Sequence, residues 1–179
     1  MERRNHDHLK SKINNEVHVL ILGSYQRRHK SRLLSLRDTL KEAGFTQTHL
    51  VEDFPDDHVY HNDLDIHFTK KSEHYIVEWA DEILFVLFRD SDNQGVLSEF
   101  RFCSIMDEDV LENSLIEAED GVHLSSQVMG PIKLTKINTV TFTDEGTLLR
   151  RALGHTVKTV ERLYSKLVER SGVRGTPRS

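Results

Sequence analysis

Val17-His18-Val19-Leu20-Ile21-Leu22 is a nearly unbroken apolar run that stops at Gly23, the pattern of a strand buried on both faces. After a polar stretch, Leu33, Leu36, Leu40 and Ala43 recur at three- and four-residue spacing, and Gly44 follows as a C-terminal stop. Residues 46–51 read as a second, shorter strand. Phe68, Tyr75, Ile76 and Trp79 mark the apolar side of a second helix, and Asp81 parts it from a second buried strand, Ile83-Leu84-Phe85-Val86-Leu87-Phe88. A third helix is expected over residues 96–106, a weaker strand over 113–118 and a fifth strand over 139–142. The clearest periodicity comes last, where Leu149, Ala152, Thr156, Val160, Leu163 and Leu167 keep helical spacing. Residues 119–136, with Gly121, Gly130 and Pro131, take no assignment from pattern alone.

Strands alternating with helices imply crossover connections and a sheet covered on both faces. The expected fold is therefore α/β: a single three-layer domain with a mostly parallel five-stranded sheet of Rossmann or flavodoxin-like type. It is expected over residues 16–170, with a loose segment at 1–15 and a basic, disordered tail at 171–179.

Composition narrows the function classes. A formal charge of -5 gives no overall attraction for nucleic acid or an anionic membrane. No apolar run approaches bilayer-spanning length. Cys103 is the single cysteine, so no intrachain disulfide framework exists and a reducing, cytoplasmic setting is expected.

In an open α/β sheet, ligands sit beyond the carboxyl ends of the strands. The segment Gly95-Val96-Leu97-Ser98-Glu99 follows a buried strand there, so Glu99 is the leading candidate for chemistry. Placed in the first turn of a helix, it would be held anionic by the helix dipole and suited to act as a nucleophile. The competing reading is an ordinary first-turn acid. Glu73 is a second candidate if its turn of helix reaches the strand ends, and otherwise a solvated glutamate. Asp90 and Asp92 lie in the intervening loop, where capping is their alternative role.

The segment from Gly23, Ser24 and Tyr25 to Arg27, Arg28, His29, Lys30 and Arg32 joins the first strand to the first helix. It matches neither a dinucleotide fingerprint nor a Walker A sequence. Its concentrated positive charge suits an anionic group such as a substrate phosphate, or else is simply solvated. The acidic, histidine-bearing loop from Asp53 to His67 has no recognised metal-ligand spacing and reads as surface.

The region Ala80-Asp81-Glu82-Ile83-Leu84-Phe85-Val86 through Asp92-Asn93-Gln94-Gly95-Val96-Leu97-Ser98-Glu99 resembles the nucleoside 2-deoxyribosyltransferase family, which includes the deoxynucleoside monophosphate N-hydrolases. The resemblance spans roughly residues 17–106. It implies Glu99 as the nucleophile that attacks the anomeric carbon and releases the base, with Glu73 at the position of a second site acid. It further implies that Gly23, Ser24 and Tyr25 line the sugar or phosphate pocket, beside Gly95. The chain departs from the family in Phe100-Arg101-Phe102, where Arg101 either closes the pocket or contacts phosphate. Glu73 also stands where aspartate is usual.

The function the resemblance implies is cleavage of the base–sugar bond of a nucleotide or nucleoside, without metal or cofactor. Catalysis would rest on Glu99, with Glu73 or Asp92 assisting. Arg27 and Arg28 would favour a phosphorylated substrate, and a homo-oligomer is a further expectation. The alternative is a module of the same architecture: a nucleotide sensor, or a domain similar to Toll/interleukin-receptor (TIR) domains, some of which cleave NAD.

Overall fold

A computed structural model of the chain describes residues 14–56, 61–106, 108–124, 126–135 and 137–170. The expectations for the two termini fall mainly outside these residues. Strands β1 (Val19–Gly23), β2 (Thr48–Leu50), β3 (Glu82–Leu87), β4 (Leu115–Glu119) and β5 (Asn138–Phe142) form one sheet in the order β2-β1-β3-β4-β5. All four pairings are parallel, with Val19 opposite Thr48 and Glu82, and Leu84 opposite Leu115. The sheet is thus wholly parallel, and β1 and β3 are fully buried, as their continuous apolar runs require.

Six labelled helices cover the two faces. Helices α1 (Arg27–Glu42) and α6 (Glu145–Arg170) pack one side, where Leu33, Leu36, Leu40, Leu148, Ala152 and Val160 meet Ile21, Leu84 and Val86. Helices α2 (Leu64–Glu78), α3 (Gln94–Met106), α4 (Glu108–Glu112) and α5 (Ser126–Thr135) pack the other. There Ile76, Val96, Phe100 and Cys103 meet Leu20, Leu22, Phe85 and Ile116. Alternate residues of each strand feed opposite cores, the period-two consequence of the pleat.

Several boundaries differ from the sequence reading. Helix α1 begins at Arg27, so the basic stretch forms its first two turns rather than a loop. It ends as expected: Gly44, at φ +100°, donates to the Lys41 carbonyl, and Phe45 donates to Leu40 at 3.0 Å, a Schellman closure. Helix α5 occupies much of the unassigned stretch and carries Pro131 within it. Helix α4, absent from the sequence reading, precedes β4. Leu167, expected on the apolar stripe of α6, is exposed, while Leu148 is buried. Among the described residues, no helix is long and apolar enough to cross a membrane.

Candidate active site

The strand order reverses direction between β1 and β3, and a doubly wound sheet opens its crevice at such a point. A cavity of about 340 Å³ lies there, within the range of small-ligand sites. Tyr25 enters it from the loop after β1, and Val51 and Glu52 from the single 3-10 turn after β2. Helix α2 supplies Phe68, Thr69, Ser72 and Glu73, and helix α3 supplies Gly95, Ser98 and Glu99.

Of the sequence candidates, Tyr25, Glu73, Gly95 and Glu99 thus line one cavity. Gly23, Ser24, Arg27, Arg28, Asp92 and Arg101 are not among its lining residues. Gly23 ends β1 against Leu33, and a Cβ there would come within 2.8 Å of that side chain, so close packing explains the glycine. The carboxylate of Asp92 accepts from the Gln94 N–H at 3.3 Å, a capping contact outside the cavity. Arg101 is exposed on α3. The cations at the start of α1 are largely engaged elsewhere. Arg28 donates to the Asp90 carbonyl and pairs with its carboxylate at 3.5 Å, while Arg32 pairs with Glu119 at 3.0 Å.

Glu99 is not in the first turn of its helix. Helix α3 starts two residues earlier than its apolar pattern suggests, placing Glu99 in the second turn, beyond the free N–H groups. The expected lowering of its pKa is therefore reversed. Burial pushes the carboxyl up to about 7, the charge on Glu73 adds to the rise, and a hydrogen bond with Ser72 opposes it. Ser72, itself buried, has its hydroxyl 3.0 Å from the Thr69 carbonyl, so its one proton is shared between that carbonyl and the Glu99 carboxylate. The Tyr25 hydroxyl accepts from the Val51 N–H at 3.3 Å. Burial and the nearby Glu99 charge hold that phenol well above its ordinary value.

Two supports fix this geometry. Asn93 adopts φ 55° ahead of α3 and is buried. Its side-chain oxygen accepts from Phe88 N–H at 3.0 Å, and its amide donates to the carbonyls of Phe88 at 2.8 Å and Ser91 at 3.1 Å. The end of β3 is thereby tied to the start of the helix that carries Glu99. The second support holds the turn bearing Val51 and Glu52. Asp53 accepts from Leu50 N–H at 2.8 Å and pairs with Arg37 at 2.6 Å. Buried Lys71 donates to the Phe54 carbonyl at 2.7 Å and to Asp56 at 2.5 Å.

Asn93→Ala should cost about 3 kcal/mol, from three lost hydrogen bonds and a left-handed backbone that alanine disfavours. Urea denaturation at neutral pH measures this, and a loss below about 1 kcal/mol would remove Asn93 as the anchor of α3.

The acidic loop engages Lys71 and His67 through Asp56, with His67 at 3.7 Å, whereas Asp57 and His58 lie outside the described residues. Among the described residues, no three side chains of metal-ligating type converge. The sequence reading did not single out Asn93, Ser72, Glu52 or Phe68 as site residues. Asn93 carried a legible signal, a turn-forming residue just ahead of a glycine-bearing helix start.

No protein-family model matches the sequence, and no curated protein matches it significantly. Among solved structures, the chain is similar to the CMP N-glycosidase BcmB of Clostridium botulinum, at 16% identity and a TM-score of 0.52. The match covers 74% of this chain and 95% of that one. The likeness is one of fold.

Proposed function

We propose that this chain is an N-glycosidase that cleaves the base–sugar bond of a small nucleotide or nucleoside, with Glu99 as nucleophile. The observation that carries the reading is the meeting of Glu99 and Glu73 in one cavity at the β1–β3 switch point. The similarity in fold to a CMP N-glycosidase supports it. In this chemistry a Glu99 oxygen attacks the anomeric carbon, the C–N bond breaks, and its electron pair leaves with the base. Water then cleaves the glycosyl ester and returns the carboxylate. Glu73 would hold a sugar hydroxyl, a role the sequence reading shared with Asp92, or take the proton of that water. Tyr25 and Phe68 offer aromatic surface to a base, and the hydroxyls of Thr69, Ser72 and Ser98 offer partners to the sugar.

The test is release of free base from a panel of nucleosides, nucleotides and NAD, comparing the parent with Glu99→Ala. Release by the parent alone supports the enzyme. A melting temperature that rises with nucleotide, without release by either protein, assigns a sensor or TIR-like binding module instead.

The raised carboxyl sets the sign of the pH dependence. A nucleophile must be ionised, so kcat/KM should fall about tenfold per unit below about pH 7 and level off above it. Ser72→Ala removes a bond that favours the ionised form and should move the midpoint upward. Glu73→Gln removes a like charge and should move it downward. The mirror-image profile, activity lost as pH rises through 7, would make Glu99 an acid and end its role as nucleophile.

A further inference from the structure

We infer that the substrate of this cavity is a nucleoside whose base carries a positive charge and whose sugar carries no phosphate. An N-glycosylated pyridinium or a 7-alkylated purine represents the class. The inference deepens the N-glycosidase reading and rests on it.

Among the described residues, the cavity wall holds three carboxylates, Glu52, Glu73 and Glu99, and no lysine, arginine or histidine. Two lysines come near, but from outside. Lys30 meets Glu52 at 2.8 Å with its side chain 40% exposed, and Lys70 meets Glu73 at 2.6 Å with its side chain 57% exposed. Each therefore sits on the solvent side of its partner. Among the described residues Glu99 has no such neighbour: the groups that act on it are the Ser72 hydroxyl and the like charge of Glu73. At the Tyr25 hydroxyl, likewise, the acting charges are Glu99, Glu52 and Asp53. The interior potential is negative. In the first turns of α1, Arg28 and Arg32 are held by Asp90 and Glu119, and Arg27 is not among the lining residues.

A phosphate entering this space would face the unpaired Glu99 and two carboxylates whose lysines stand outside the cavity, whereas a flat cation would supply the countercharge that Glu99 lacks. Tyr25 and Phe68, both partly exposed at the cavity, would add attraction between ring face and cation.

The chemistry of departure agrees. A neutral base accepts a proton as it leaves, so a donor must stand beside it. Glu99 is the attacking group, Glu73 is paired with Lys70, and the Tyr25 phenol is a weakened acid. A cationic base needs no donor. As the Glu99 oxygen bonds to the anomeric carbon, the C–N electron pair passes to the ring nitrogen, and the base departs neutral. Water then attacks the ester carbon–oxygen linkage and loses its proton to solvent or Glu73, and the free sugar leaves.

The experiment measures kcat/KM for matched pairs, in ribosyl and 2′-deoxyribosyl forms: 7-methylguanosine against guanosine, and nicotinamide riboside against its 5′-monophosphate. We expect the cation to exceed the neutral nucleoside by roughly a hundredfold, and the unphosphorylated form to exceed the phosphorylated one by about tenfold. Because cationic nucleosides are intrinsically more labile, Glu52→Gln separates binding from lability. It should raise KM for the cation several-fold more than KM for guanosine, and so narrow the ratio. An unchanged ratio in that variant overturns the inference, as does equal or faster cleavage of guanosine or of the 5′-monophosphate; base release from those substrates leaves the glycosidase reading standing. Release from no member of the panel overturns both.

Discussion

Glu99→Gln should abolish base release, lowering kcat by about 10⁴-fold, while leaving the fold intact and the chain no less stable. The amide has nearly the shape of the carboxylate but no nucleophilic oxygen, so substrate positioning survives and the attack does not. Stability should move the other way. A carboxyl held at about 7 by burial is ionised at a cost in the folded chain above that pH, and the amide removes the cost. Thermal unfolding at pH 8 should therefore show the variant melting at or above the parent, with the difference vanishing towards pH 5. This opposed pair of effects is what distinguishes a strained functional group from a structural one. Base release persisting within about tenfold of the parent would sink the assignment of Glu99 as nucleophile.

The fold was legible where burial leaves a continuous mark. Strands β1 and β3 lie at the centre of the sheet, so their residues are apolar on both faces and read as unbroken runs. Strand β4 was harder because Glu117 interrupts its apolar run while being fully buried, a placement that composition alone argues against. Helix α5 was hidden by Gly130 and Pro131, both ordinary breakers, although the helix continues through them.

The site was legible in its spacing and not in its electrostatics. Gly95 and Glu99 were picked out because they follow the buried run of β3, where an open sheet holds its ligands, and Glu73 and Tyr25 from their position relative to β3 and β1. The arginines of α1 were read as available cations because their partners are remote: Asp90 is 62 residues from Arg28, and Glu119 is 87 from Arg32. Phe68 was assigned to the apolar side of its helix, yet it is 49% exposed and faces the cavity. Local pattern reports that a side chain is apolar, and only tertiary structure says whether it meets core or ligand.

The second large effect lies on the opposite face of the sheet, beneath α6. Glu82 and Glu117 point to that face from adjacent strands and are wholly buried. Glu82 accepts from the Thr156 hydroxyl at 2.7 Å through one oxygen, while its other oxygen and both of Glu117 meet no donor among the described residues. Burial pushes each carboxyl up to about 8, and the Glu82 charge adds to the rise at Glu117. In the unfolded chain both ionise near 4.5. Between those limits the folded chain keeps protons that the unfolded chain has lost, so stability falls as pH rises, by up to about 1.4 kcal/mol per unit for each carboxyl.

Buried His29 and half-buried His49 and His155 act with the other sign. Burial lowers their pKa values, so their contribution weakens as pH falls below the ordinary imidazole range. Maximum stability should therefore lie slightly on the acid side of neutrality. Between pH 6 and 9 the parent should lose about 3 kcal/mol in urea denaturation, a figure below the two-carboxyl limit because buried charges draw in water as they ionise. The double variant Glu82→Gln with Glu117→Gln should lose only the share that Glu99 contributes, about 1 kcal/mol, across that range, and its base-releasing activity should match the parent, since the cavity lies across the sheet. A parent whose stability does not change between pH 6 and 9 would show that these two carboxyls are not held protonated by the fold.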